Sequence, residues 1–223
     1  MKGSGEATDW TTIDDADDGV GWIAYPEETM QRASHALVSD GAVWLVDPVD
    51  VPGLDETLAD RGEVAGVVTL LDRHKRDAAA IAERHDVSVY LPGPLSEVAD
   101  DLDAPTESFT GPLPGTDYEP ITVVDSFYWT EVALYDGSTL VVPESVGTSS
   151  YFVTGEERLG VHPMRRIVPP RGPLGGLDPD RIRVGHGEGV DVDPGAALDD
   201  ALRGSRKRML KLYVETGMSA LGG

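Results

Sequence analysis

Eight consecutive residues, Val64 to Leu71 (VAGVVTLL), carry no charge and are bounded by polar segments. An apolar run of this length is expected of a strand covered on both faces, as in a sheet packed between two layers. It therefore constrains the fold more than any other stretch. The flanking sequence agrees. After a polar loop, Asp77 to His85 (DAAAIAERH) reads as a helix with an acid at its N-terminus. Val87 to Leu91 then reads as the next strand. Upstream, Gly19 to Tyr25, Ala36 to Ser39 and Ala42 to Val46 read as strands, the last two turning at Asp40-Gly41. Pro52 to Arg61 reads as a short helix. Strand–helix–strand thus occurs twice between residues 42 and 91, which argues for a layered α/β fold.

The rest of the chain adds strands at Ile121 to Val124, Glu131 to Tyr135 and Thr139 to Val142, the last pair turning at Asp136-Gly137. Residues 104–120 and 154–180 read as loops, the second rich in Pro, Gly and Arg. Arg181 to Val184 is a last strand, and Pro194 to Thr216 a helix interrupted near Gly204. Residues 1–18 are expected to be a flexible acidic N-terminus, and residues 19–223 one domain that includes the C-terminal helix.

Composition excludes several kinds of function. The absence of cysteine removes disulfides, thiol nucleophiles and thiolate metal sites. No apolar run approaches the roughly 18 residues of a membrane span, and the N-terminus lacks the apolar segment of a secretory signal, so a cytoplasmic protein is expected. A net charge of −22 repels phosphate backbones, which argues against nucleic acid as partner. The acid is dispersed rather than blocked, and lysine is confined to Lys2, Lys75, Lys207 and Lys211. This pattern is that of a halophilic surface, where salt screens self-repulsion. No G-x-S-x-G elbow, P-loop or dinucleotide fingerprint occurs.

Chemistry concentrates where apolar strands end. VWLV ends at Asp47, VVTLL at Asp72-Arg73-His74-Lys75-Arg76-Asp77, TLVV at Pro143-Glu144, and RIRVG at His186 within Gly185-His186-Gly187. Residues just past strand ends in layered α/β folds converge on a crevice. Glycines on both sides of a histidine permit a sharp turn and close backbone approach. These segments point to one site assembled from distant parts of the chain.

Their order resembles the metallo-β-lactamase superfamily. Ala36–Val49 is similar to its opening hairpin with the strand-end aspartate. Val67–Tyr90 is similar to its strand, His-x-His-x-Asp-His loop, helix and strand. Glu131–Ser145 is similar to the segment with the bridging aspartate, and Ile182–Val190 to the last strand with Gly-His-Gly. The resemblance spans residues 34–200 and implies a four-layer αββα sandwich. It also implies where the motif has changed. Asp72 stands for the first histidine, His74 keeps the second, Arg76 replaces the aspartate and Asp77 the last histidine. No histidine occurs near 124–130, and Glu144 stands for the bridging aspartate.

The expected metal residues are therefore His74, His186, Asp47 and Glu144. Asp72 and Asp77 are the catalytic candidates, and Arg76 is a pocket residue. Such a set holds one divalent metal, zinc or similar, or none. Arg76 is expected to replace a metal electrostatically, pairing with Asp77, Glu144 or a ligand's anionic group. The activity implied is that of a divergent hydrolase acting on an ester, thioester or phosphoester. The alternative is a non-catalytic relative that binds a small-molecule ligand or a partner. His35, His85 and His162 match no motif position and are expected to be structural or exposed. Arg165, Arg166 and Arg171 are expected to pair with local carboxylates, anion binding being the other reading. The basic stretch Arg203 to Lys211 is expected to dock by its apolar side.

Overall fold

The structure, a computed structural model, describes residues 9–221, and the side chains of residues 9–214. The chain begins with β1 (Trp10–Ala16), β2 (Gly19–Ala24), β3 (Arg32–Ser39) and β4 (Ala42–Val46). The short helix α1 (Leu54–Leu58) leads to β5 (Glu63–Val68), and α2 (Ala78–His85) to β6 (Val89–Pro92) and β7 (Thr106–Phe109). These seven strands form one sheet in sequence order. Its first half is antiparallel, and β4 through β7 are parallel. A second sheet holds β8 (Glu119–Ser126), β9 (Trp129–Tyr135) and β10 (Thr139–Val142). After the small pair β11 (Val146–Gly147) and β12 (Gly160–Val161) and the short helix α3 (Arg171–Leu174), β13 (Arg181–Val184) joins that sheet parallel to β10. The helix α4 (Pro194–Leu221) ends the described chain.

Alternation along the strands builds three apolar seams. In β4, Val43 and Leu45 face α1 and α2, whereas Trp44 and Val46 face the second sheet. In β10, Val141 faces the first sheet, and Leu140 and Val142 face α3 and α4. Side chains two apart share a face of a strand, so each sheet is covered on both sides. The result is the αββα sandwich, with one seam between the sheets and one under each helical layer.

Several sequence expectations change. The run Val64 to Leu71 crosses between sheets. β5 stops at Val68, Leu70 N–H donates to Asp47, and Leu71 bridges to Glu131 of the second sheet. Part of the expected flexible N-terminus is β1, because Ile13 packs on Ile23 and Ala33 and the strand pairs with β2. The segment 104–120 contains β7, an edge strand whose Phe109 is buried between the sheets. Residues 154–180 carry β12, a 3-10 turn Pro163–Arg165 and α3. α4 runs through Gly204, which leaves room for the Arg208 guanidinium to lie back along the helix to Asp200.

Candidate metal centre

The ends of β4, β5, β10 and β13 meet at one edge of the sandwich. Asp47 closes β4 in a left-handed conformation, φ 44°. Its Oδ1 accepts from Leu70 N–H at 2.9 Å, and its Oδ2 lies 3.0 Å from His74 Nδ1. The loop after β5 is pinned to β9, since Asp72 N–H donates to Thr130 O and Asp72 Oδ2 accepts from Thr130 N–H. His74 is thereby held 7% exposed.

Glu144 follows β10. The buried carboxylate of Glu131 accepts from the backbone N–H groups of Glu144 and Ser145, from Ser145 Oγ and from Trp129 Nε1. Burial still pushes its pKa up despite these four donors. His186 follows β13. Gly185 lies where a Cβ would strike Pro143 O, and Gly187 has φ 97°. His186 Nδ1 lies 3.1 Å from Met30 O, and Phe152 stacks on the ring at 5.3 Å between centroids.

The side chains converge on Glu144. Its Oε2 lies 3.2 Å from His74 Nε2 and 3.7 Å from His186 Nε2. Its Oε1 accepts from Arg73 at 3.0 Å and lies 3.5 Å from His162 Nε2. The partners of the other ring nitrogens assign the tautomers. His74 and His186 face acceptors with Nδ1, so each carries its proton there. His162 Nδ1 accepts from Met164 N–H, so its proton is on Nε2. Oε1 therefore meets donors, while Oε2 faces the Nε2 atoms of His74 and His186. His186 Nε2 is enclosed and has no hydrogen-bond partner.

Such a convergence of acceptors fits a cation. The His74, Glu144 and His186 ligand atoms all lie within 4.8 Å of one another. Zinc bonds of about 2.0–2.1 Å give tetrahedral edges of roughly 3.3 Å, close to the spacings around Oε2. Asp47 behind His74 and Met30 O behind His186 are the outer partners that metal-bound histidines use. Burial pushes the pKa of His186 down to about 4, and that of His162 likewise to about 4, so both rings are neutral at pH 7.

The remaining sequence candidates lie around this group. Asp72 fastens the loop to β9 and reaches Arg73 at 3.5 Å. Asp77 accepts from Asp50 N–H and faces a groove beside Asp50, Asp55 and Arg84, away from Glu144. Arg76, at φ 40°, was expected to pair with a carboxylate or an anionic ligand. Its guanidinium instead donates to the carbonyls of Ala33, Asp47 and Gly185 and to Ser34 Oγ, because its loop aims it at strand-end backbone. His162, expected to be structural or exposed, joins the cluster. Its place in a Pro/Gly-rich segment hides it from a strand-end search. Glu131, another participant, lies within β9 and carried no signal in the sequence.

No family profile and no curated protein matches the sequence. Solved structures do match. The DIM-1 metallo-β-lactamase is 12% identical with a TM-score of 0.57, covering 89% of this chain and 99% of its own. TMB-1 is 11% identical with a TM-score of 0.56, covering 87% and 97%. A putative diflavin flavoprotein A 5 fragment from Nostoc sp. PCC 7120 is 15% identical with a TM-score of 0.64, covering 92% and 100%. The chain has the metallo-β-lactamase fold. Within it, the group able to hold a metal, among the described residues, is His74, Glu144 and His186.

Proposed function

We propose that the protein is a hydrolase of small ester-type substrates that uses one divalent metal ion held by His74, Glu144 and His186. The observation that carries this reading is the convergence of His74 Nε2 and His186 Nε2 on one buried carboxylate oxygen of Glu144, at 3.2 and 3.7 Å. A divalent ion there supplies Lewis-acid polarisation of a scissile carbonyl or phosphoryl group and activation of water. The chain's own residues prepare the site. Asp47 fixes the His74 ring, Met30 O fixes His186, and Arg73 with His162 holds Oε1 so that Oε2 faces the histidines. Arg76 supports a count of one. Its guanidinium stands beside the strand ends where the resemblance would put a second ion's ligand, and a fixed cation disfavours another. The dispersed acid suits concentrated salt and the inside of a cell.

The near-complete burial of the three ligand residues favours a second reading, a ligand-binding protein without turnover. Elemental analysis of protein purified without added metal, joined to 4-nitrophenyl acetate and bis(4-nitrophenyl) phosphate assays, separates the readings. One ion per chain and hydrolysis lost to a chelator are expected. Two ions per chain overturn the single-metal site. One ion without hydrolysis selects the binding protein.

A further inference from the structure

Most arginines of this chain find an acceptor. Even Arg203, whose side chain is 79% exposed, pairs with Asp199, as expected where 40 acids meet 18 basic residues. In the Arg-rich stretch, Arg166 pairs with buried Glu157, and Arg171 donates to Leu202 O. Arg165 differs. Among the described residues its guanidinium has no ion pair and no hydrogen bond, and its enclosed Nε lacks a partner. It lies by the ring of Trp129, 5.9 Å from the centroid, near the limit of a useful cation–π interaction.

Trp129 also carries Arg73, 4.5 Å from the centroid, so two guanidinium groups share one ring. That ring is fixed relative to the metal group, since Glu131 binds both Trp129 Nε1 and the backbone of Glu144. Arg165 is fixed too, because its N–H donates to His162 O in the Pro163–Arg165 turn. Arg73, with a side chain 42% exposed, places one terminal nitrogen on Glu144 and the other 3.5 Å from Asp72, and its outer edge stays open to solvent. The hairpin tip that precedes Trp129 exposes Phe127 and Tyr128 at 93% and 85%, an apolar surface on the same hairpin.

We propose that Arg165, with Arg73, forms an anion-binding mouth on Trp129, and that the ligand carries a carboxylate or phosphate group beside an apolar body. A guanidinium presents a fork of donors matched to either group. In a chain of net charge −22, a local pair of arginines also offsets the general repulsion that an approaching anion meets. This proposal rests on the site described above but not on its chemistry, since an anion can bind there whether or not hydrolysis follows.

Calorimetric titration tests it with phenylphosphonate, benzoate and neutral benzamide, in chelator at about 0.15 M ionic strength, where surface charge is screened beyond about 8 Å. Both anions are expected to bind and benzamide not. Arg165→Gln is expected to weaken the anions at least about tenfold, which is about 1.4 kcal/mol. Arg165→Lys is expected to recover part of the loss, and Arg203→Gln to match the wild type. Tighter phenylphosphonate than benzoate points to a phosphate ligand, the reverse to a carboxylate. Equal binding of benzoate and benzamide, unchanged binding by Arg165→Gln, or no binding by the wild type overturns the proposal. Because metal is absent here, anion binding with failed hydrolysis refutes only the hydrolase, and hydrolysis without anion binding refutes only the mouth.

Discussion

Arg166 and Glu157 are buried to the same extent as His74, Glu144 and His186, yet the two groups are built differently. Arg166 donates to Val161 O, to Phe152 O and to both Glu157 oxygens, and Glu157 also accepts from Thr154 N–H. Donors and acceptors there are matched, and the pair clamps the 154–166 segment under α4. Around Glu144 the matching fails at one oxygen, which faces the Nε2 atoms of two histidines, that of His186 having no hydrogen-bond partner. Burial alone does not separate a structural charge from a functional one. The count of donors against acceptors does, because an unmatched buried acceptor is costly unless a cation arrives.

The largest effect that tests this contrast is on stability. Arg166→Ala removes the buried partner of Glu157 and leaves it only the more distant Arg208, 3.4 Å away, and is expected to lower unfolding free energy by about 3 kcal/mol in denaturant titrations, with metal content per folded chain unchanged. Glu144→Gln is expected to do the opposite. Its amide can donate to His74 and His186, so stability in chelator holds or rises, while metal binding by titration falls to background. A stability loss like that of Arg166→Ala would erase the contrast. Asp47→Asn keeps the ligands but weakens the partner of His74, and is expected to reduce metal affinity about 10–100-fold.

The smallest effect is pH dependence in chelator. His162 and His186 are held near 4, below the ordinary 6.5, by burial first of all. Between these values the unfolded chain binds more protons than the folded one, so stability falls as pH drops from about 6.5 to about 4. His162→Gln, which keeps a donor toward Glu144, is expected to flatten part of that slope. An unchanged slope would place the titration elsewhere.

How far the sequence reveals this architecture follows from what each signal depends on. The run VAGVVTLL demanded two covering layers, and the seams at Val67 and Val68 supply them on opposite faces. Asp40-Gly41 marked the β3–β4 hairpin because positive φ is a local requirement, φ 50° and 80° there. His74 and His186 were legible because strand-end position is written in the flanking apolar residues. His162 was not, since its place depends on β12 pairing with β11, a contact between two-residue strands with no periodicity to read. Asp77 and Arg76 carried the family's spacing, but a left-handed backbone at Arg76 sends their side chains to backbone partners. β1 was hidden because Ile13 is its only buried apolar residue, and Asp14, although turned inward, reads in sequence like any other surface acid.

β1 also reaches the far end of the chain. Both Asp14 carboxylate oxygens lie 3.0 Å from Gly189 N, across 175 residues, just beyond His186. His186 itself is steered by Met30 across 156 residues. Contacts of such separation form late, because loop closure must precede them. During synthesis, the first two strands emerge long before the histidine they position. The metal group is thus assembled last, and a nascent chain presents His74 and Glu144 without the third ligand until β13 has left the ribosome. For the proposed single-metal hydrolase, metal capture then becomes a report that the two ends of the sandwich have met.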